Sequence, residues 1–128
     1  MSGSEYDILI IDDSKYINDL IEKILQFKGY SCKCVSNTSE AFKELKKHKP
    51  KLILLDVHLP KLSGYEFCNL IKSNKKYEDI LIYYFSGVSK EEVAVKALET
   101  KADGFLTKPF DISDFDDILV NLKPKNDL

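Results

Sequence analysis

The chain contains no arginine: its 19 basic residues are all lysine. Arginine is the side chain that forks onto guanine edges and phosphate oxygens. Its absence, with a net charge of −2 and a pI near 5.7, argues against a self-sufficient nucleic-acid binder. Cysteine is scarce as well. Three residues cannot all pair, and the close pair Cys32 and Cys34 has no second ligand pair to complete a zinc site, so reduced thiols in a cytoplasmic setting are expected. No apolar run approaches the roughly 20 residues of a membrane span, and no membrane partner is expected. The start, Met1 to Ser4, shows neither the charged nor the apolar segment of a secretory signal.

What is present fits one domain. Set against about 150 residues per domain, 128 residues predict a single unit over 1–128 with its core at about 6–122. With 44% apolar and 31% charged residues, such a chain can bury a core without disulfide or metal staples. Neither a linker nor a low-complexity tract interrupts it.

Short continuous apolar runs at Ile8 to Ile11, Leu52 to Leu55 and Ile80 to Phe85 suit strands buried on both faces of a parallel sheet. Ser31 to Val35 alternates and suits a sheet edge, and Phe105 to Thr107 is a brief last strand. Helical spacing fills the gaps. Tyr16, Ile17, Leu20, Ile21, Ile24 and Leu25 form one stripe, ended by Gly29 as the residue after the helix. Asn37-x-x-Glu40 opens a second helix that ends by Pro50, Gly64 to Asn74 is a third, and Ser89-x-x-Glu92 is a capping box opening a fourth that reaches about Thr100. Asp111 is expected to cap a fifth, with Phe115, Ile118, Leu119 and Leu122 as its apolar stripe and Pro124 beyond it. Five strand–helix units of about 20 to 25 residues predict an α/β fold, with right-handed crossovers placing helices on both faces of one doubly wound parallel sheet.

In an open parallel sheet, ligands sit outside the carboxyl ends of the strands. There the sequence places Asp12-Asp13 after the first strand, Asp56 after the third, Ser86-Gly87 after the fourth and Thr107-Lys108-Pro109 after the fifth. Three converging carboxylates repel one another unless a cation offsets them. Oxygen donors favour Mg²⁺ over zinc, since neither Cys nor a His pair ends a strand. A carboxylate beside Mg²⁺ and Lys can attack a phosphoryl group, giving an acyl phosphate on Asp.

This ordered set, with Lys108-Pro109-Phe110 after the last strand, resembles a response-regulator receiver domain of two-component signalling over about Tyr6 to Leu122. The resemblance implies the flavodoxin-like strand order 2-1-3-4-5. It implies that Asp56 accepts phosphate from a phosphohistidine on a sensor histidine kinase or phosphotransfer protein. Asp13 would bind Mg²⁺ directly, Asp12 mostly through water, and the His58 backbone carbonyl would complete the protein ligands. Lys108, Ser86 and Gly87 would contact the phosphoryl group, Ser86 and Phe105 would form the switch, and Lys108-Pro109 would be a cis peptide. The output would be a downstream protein bound on the face of helix four, strand five and helix five. The protein would be no turnover enzyme, only a switch capable of self-phosphorylation from small phosphodonors and slow self-dephosphorylation. Three residues depart from the commoner family pattern: Ser86 stands for Thr, Phe105 has no hydroxyl where Tyr is frequent, and His58 places a titratable ring two residues past the acceptor.

Other readings use the same residues. An acidic pair before a helix can simply serve the helix dipole, Asp56 alone can be a turn residue before Leu59-Pro60, and Lys-Pro is a common loop dipeptide. Only their joint placement at strand ends argues for chemistry. A receiver that binds partners without phosphorylation is the first alternative. A flavodoxin-like ligand binder is opposed by two aspartates where a phosphate would need amides, and an Asp-nucleophile hydrolase by the D-D spacing and the lack of residues for a cap. His48 and the Lys46-Lys47-His48-Lys49 run read as a solvated face, the cysteines as small core residues, and Asp111, Asp114, Asp116 and Asp117 as dipole partners of helix five.

Overall fold

A computed structural model describes residues 5–59, 61–120 and 122; Met1 to Ser4, Pro60 and Pro124 lie outside the described residues. The apolar runs are strands β1 (Ile8–Ile11), β3 (Leu52–Asp56) and β4 (Leu81–Ser86), joined by β2 (Cys32–Val35) and β5 (Gly104–Thr107). Helices α1 (Lys15–Phe27), α2 (Thr38–Lys47), α3 (Gly64–Lys72), α4 (Lys90–Thr100) and α5 (Asp114–Leu119) alternate with them. The sheet is parallel in the order β2-β1-β3-β4-β5. Its centre is formed by the strands whose residues are buried on both faces, β1 and β3, while the alternating β2 lies at an edge.

Strand residues alternate between two cores. Leu9, Ile11, Ile53, Leu55, Ile82 and Tyr84 meet Ala41 and Leu45 of α2, Phe67, Cys68 and Ile71 of α3, and Val93 and Ala97 of α4. Ile8, Ile10, Leu52, Leu54 and Phe85 meet Ile21, Ile24 and Leu25 of α1 and Phe115, Ile118 and Leu119 of α5. Both faces are therefore covered, as unbroken apolar strands require.

Helix ends follow the sequence with three corrections. Gly29 takes φ +92° after α1, a conformation that favours glycine. Asn37 caps α2 through the Glu40 N–H. At Ser89 the hydroxyl accepts the Glu92 N–H, but the full reciprocal capping box forms instead at Ser63 and Glu66, opening α3. Asp111 does not cap α5. Successive i→i+3 bonds wind from Asp111 to Asp116, the helix starts at Asp114, and the Asp114 carboxylate reaches back to the Asp111 N–H at 2.7 Å. His48 is not a solvated residue either. Its ring packs edge-on against Tyr6 with centroids 4.7 Å apart, and its Nε2 lies 2.6 Å from the Tyr6 carbonyl oxygen, tying the end of α2 to the approach to β1.

Candidate functional site

Three strand ends turn in the same way. Asp12 Oδ1 accepts the Ser14 N–H at 2.8 Å, Asp56 Oδ1 accepts the His58 N–H at 3.2 Å, and Ser86 Oγ accepts the Val88 N–H at 3.0 Å. Each side chain bonds the amide two residues on, which is why Asp and Ser suit the last position of a strand before a loop. The turn uses one oxygen of each carboxylate and leaves the other free for further contacts. Asp12 Oδ2 faces the Lys108 ammonium at 3.5 Å. Asp56 Oδ2 receives no hydrogen bond from the described residues.

Asp12, Asp13 and Asp56 each offer a carboxylate oxygen within 4.8 Å of the others. Asp12 and Asp56 are buried and Asp13 is exposed. Burial pushes the Asp12 carboxyl above the usual carboxylate range, and neighbouring Asp56 adds to this; the Ser14 N–H and Lys108 only partly oppose it. Burial likewise raises Asp56, with Asp13 adding and the His58 N–H and Lys108 opposing. One ammonium thus serves two buried carboxylates that have a third beside them. Hard oxygen donors in excess of the available positive charge fit a divalent cation such as Mg²⁺.

Lys108 is placed by its surroundings. Its backbone N–H donates to the Ser86 carbonyl at 2.7 Å, its peptide bond to Pro109 is cis, and its ammonium lies 5.0 Å from the centre of the Phe85 ring. Ser86 is fully buried, while Gly87 is exposed and a Cβ there would meet nothing within 4 Å. Phe105 is half-buried in the core that holds Tyr84, on the sheet face to which Ser86 also belongs by alternation. His58 is exposed.

Two residues beside the site are not singled out by sequence reasoning. A Cβ on Gly64 would stand 2.4 Å from the Asp56 carbonyl oxygen and 2.8 Å from the Val57 Cα, so only glycine lets α3 begin against the acidic strand end. The Ser63-Gly64 dipeptide carries a signal for a tight approach, but nothing in it says what is approached. Asn18 donates from Nδ2 to the Asp12 carbonyl at 2.8 Å. Its position within an apolar helical stripe is the available clue.

Comparison with known proteins assigns the family. The family model for the response regulator receiver domain matches residues 8–120, and the chain belongs to that family. The phosphate regulon transcriptional regulatory protein PhoB of Pseudomonas aeruginosa is 38% identical over 103 residues, 80% of this chain and 45% of that protein. The alkaline phosphatase synthesis transcriptional regulatory protein PhoP of Bacillus subtilis is 39% identical over 103 residues, 80% of this chain and 42% of its own length. The chain therefore spans less than half the length of these curated relatives. Among solved structures, the signal receiver domain of a signal transduction histidine kinase from Syntrophus aciditrophicus matches with a TM-score of 0.83 at 28% identity, over 97% of this chain and 98% of that one. The chemotaxis protein CheY4 of Vibrio cholerae shares the fold, with a TM-score of 0.83 at 24% identity over 92% of this chain and 98% of that one. No helix among the described residues is long and apolar enough to cross a membrane.

Proposed function

We propose that Asp56 is the phosphoacceptor of this receiver domain, taking its phosphoryl group from the phosphohistidine of a sensor histidine kinase or phosphotransfer protein. The observation that carries the reading is the cluster itself: three carboxylates within 4.8 Å of one another, with Lys108 against them, at the carboxyl ends of the strands. Asp56 Oδ1 is held by the His58 N–H, so Oδ2 forms the new O–P bond. The donor's P–N bond breaks, and the imidazole nitrogen keeps the electron pair and takes up a proton. Lys108 shifts from Asp12 to a phosphoryl oxygen. Ser86 Oγ accepts from Val88, which leaves its hydroxyl proton to donate to another. Asp12, Asp13, Asp56 and the His58 backbone carbonyl would hold Mg²⁺, which when bound supplies positive charge to the transferring oxygens.

The chain acts as a switch and not as a turnover enzyme: self-phosphorylation from small donors and slow self-dephosphorylation are the limit of its chemistry. Ser86 and Lys108 end neighbouring strands and are joined through the Lys108 N–H, so drawing both to a phosphoryl group moves the ends of β4 and β5 together, with Phe105 following. Exposed Val95 and Leu98 on α4 suit a downstream protein on the α4, β5 and α5 face. Three free thiols fit a cytoplasmic setting.

Intact-mass measurement after incubation with Mg²⁺ and a small phosphodonor tests the assignment. One added phosphoryl group is expected, dependent on Mg²⁺ and absent in Asp56→Asn. A gain that persists in Asp56→Asn at similar yield overturns it.

A further inference from the structure

We propose that Asn18 is a positioning residue for the Asp12–Asp13 pair: its side-chain amide fixes the peptide that joins the two carboxylates and so sets how they present oxygens to a divalent cation. The proposal rests on the cation reading given above. The last sheet bond on this path runs from the Asp12 N–H to the Val35 carbonyl at 3.2 Å. Beyond it the Asp12 carbonyl has left the ladder, and Asn18 Nδ2 supplies its donor at 2.8 Å. A peptide group is planar, so holding that carbonyl also fixes the plane of the Asp13 amide and the direction in which the Asp13 Cα leaves it. The Asp12 carboxylate is pinned from the other side by the Ser14 N–H. With both ends of the link constrained, exposed Asp13 projects from a fixed base.

Packing alone does not account for an asparagine here. Asn18 is buried on the sheet-facing side of α1 with Ile21, Ile24 and Leu25 as its buried neighbours. Its Oδ1 is buried and has no partner among the described residues. An unpaired buried acceptor costs stability, and Asn is a poorer helix former than Leu or Ala. Of its two side-chain polar groups, only Nδ2 is used, and it is used on the main chain of the acidic pair. The backbone of Asn18 is itself fixed, donating to the Ser14 carbonyl at 3.0 Å and accepting the Cys34 thiol at 3.5 Å.

Asn18→Leu keeps the buried volume and Asn18→Ala removes it, while both lack the amide. Mg²⁺ titrations followed by the backbone amide shifts of Asp13 and Asp56 should show midpoints raised about tenfold in both variants, the usual size for loss of a group that orients a metal ligand. Melting temperature should separate the two variants, because stability follows volume while affinity follows the donor. In wild type, the Asn18 side-chain amide resonance should move with the same Mg²⁺ midpoint as Asp13, a readout that needs no variant. Midpoints within twofold of wild type, or an unmoved Asn18 amide, overturn the inference and leave the cation reading intact. A wild-type protein indifferent to Mg²⁺ overturns both.

Discussion

Buried carboxylates occur in two settings in this molecule, and the two are treated in opposite ways. Away from the strand ends they are matched. Glu44 accepts the Tyr6 hydroxyl at 3.0 Å and lies 3.3 Å from Lys33 and 3.8 Å from Lys47. Burial pushes Glu44 up, but the Tyr6 hydroxyl and the lysine charges outweigh it and hold the carboxyl below its ordinary value. Asp103, although exposed, is matched in the same way: its Oδ2 takes Lys72 Nζ and the Ile82 N–H, each at 2.8 Å. At the carboxyl ends of the strands, Asp12 and Asp56 share Lys108, and both lie above their ordinary values because burial is not offset. The matched carboxylates hold the frame together. The unmatched ones store an electrostatic deficit that a cation can relieve.

The comparison predicts that breaking a matched pair is the most damaging change. Lys72 Nζ also donates to the Ile80 carbonyl at 2.7 Å and the Glu78 carbonyl at 3.3 Å, so one side chain joins the end of α3 to the starts of β4 and β5. Lys72→Met keeps the length, removes three charge-assisted hydrogen bonds at once, and should destabilise the fold by about 2–3 kcal/mol, lowering the melting temperature by roughly 10 °C. A loss of about 2 °C or less in a thermal melt would place this pair with ordinary surface ion pairs.

Steric matching at the site comes next. Gly64→Ala forces a Cβ onto the Asp56 backbone and should cost about 1–3 kcal/mol as an overpacking change. It should also lower the phosphoryl uptake proposed for Asp56, because the loop after that residue must move. Gly87→Ala, one strand away, has room for its methyl group and should melt within about 2 °C of wild type. Equal melting temperatures for the two variants would show that α3 does not bear on the acidic strand end as described.

These contrasts also mark where the sequence is legible. β1 and β3 can be read directly because a central parallel strand is apolar on both faces, and Asp12, Asp13, Asp56 and Lys108 can be read because strand ends are where such a sheet keeps polar groups. Strand order comes from family resemblance, not from the pattern. Gly64, Asn18 and His48 escape for a shared reason: each matters through a backbone that only folding brings near. His48 meets Tyr6 across 42 residues, and no local spacing encodes that contact. The start of α5 is not legible at Asp111, because it depends on how the turns between Asp111 and Asp116 wind.

Acid sharpens the comparison at the matched side. The folded-state pKa of Glu44 lies below its unfolded value, so its contribution is complete above the unfolded value and is lost as the pH falls through the folded one. Glu44→Gln should therefore melt below wild type by an amount worth about 1–2 kcal/mol at pH 7, the size of a buried hydrogen bond to a charged group. The gap should stay constant down to about pH 5 and close below about pH 4. Thermal melts of both proteins across that range check it; a gap that widens in acid reverses the sign of the argument.

The smallest expected effect is the one that separates the two settings most directly, because its sign is opposite. Asp56 is disfavoured as an anion in the folded state chiefly by burial. Asn keeps the shape and an oxygen that can accept the His58 N–H, while removing the charge that Asp12 and Asp13 oppose. In Mg²⁺-free buffer at neutral pH, Asp56→Asn should stabilise the protein by about 1 kcal/mol, the usual size for relieving a compromise kept for function. Added Mg²⁺ should raise the melting temperature of wild type more than that of the variant, because binding to the folded state alone adds stability in proportion to the logarithm of occupancy. Melts of both proteins with and without Mg²⁺ give the four values needed. If Asp56→Asn is destabilised without Mg²⁺, as Glu44→Gln is expected to be, the acidic strand ends are matched after all and the distinction between the two settings fails.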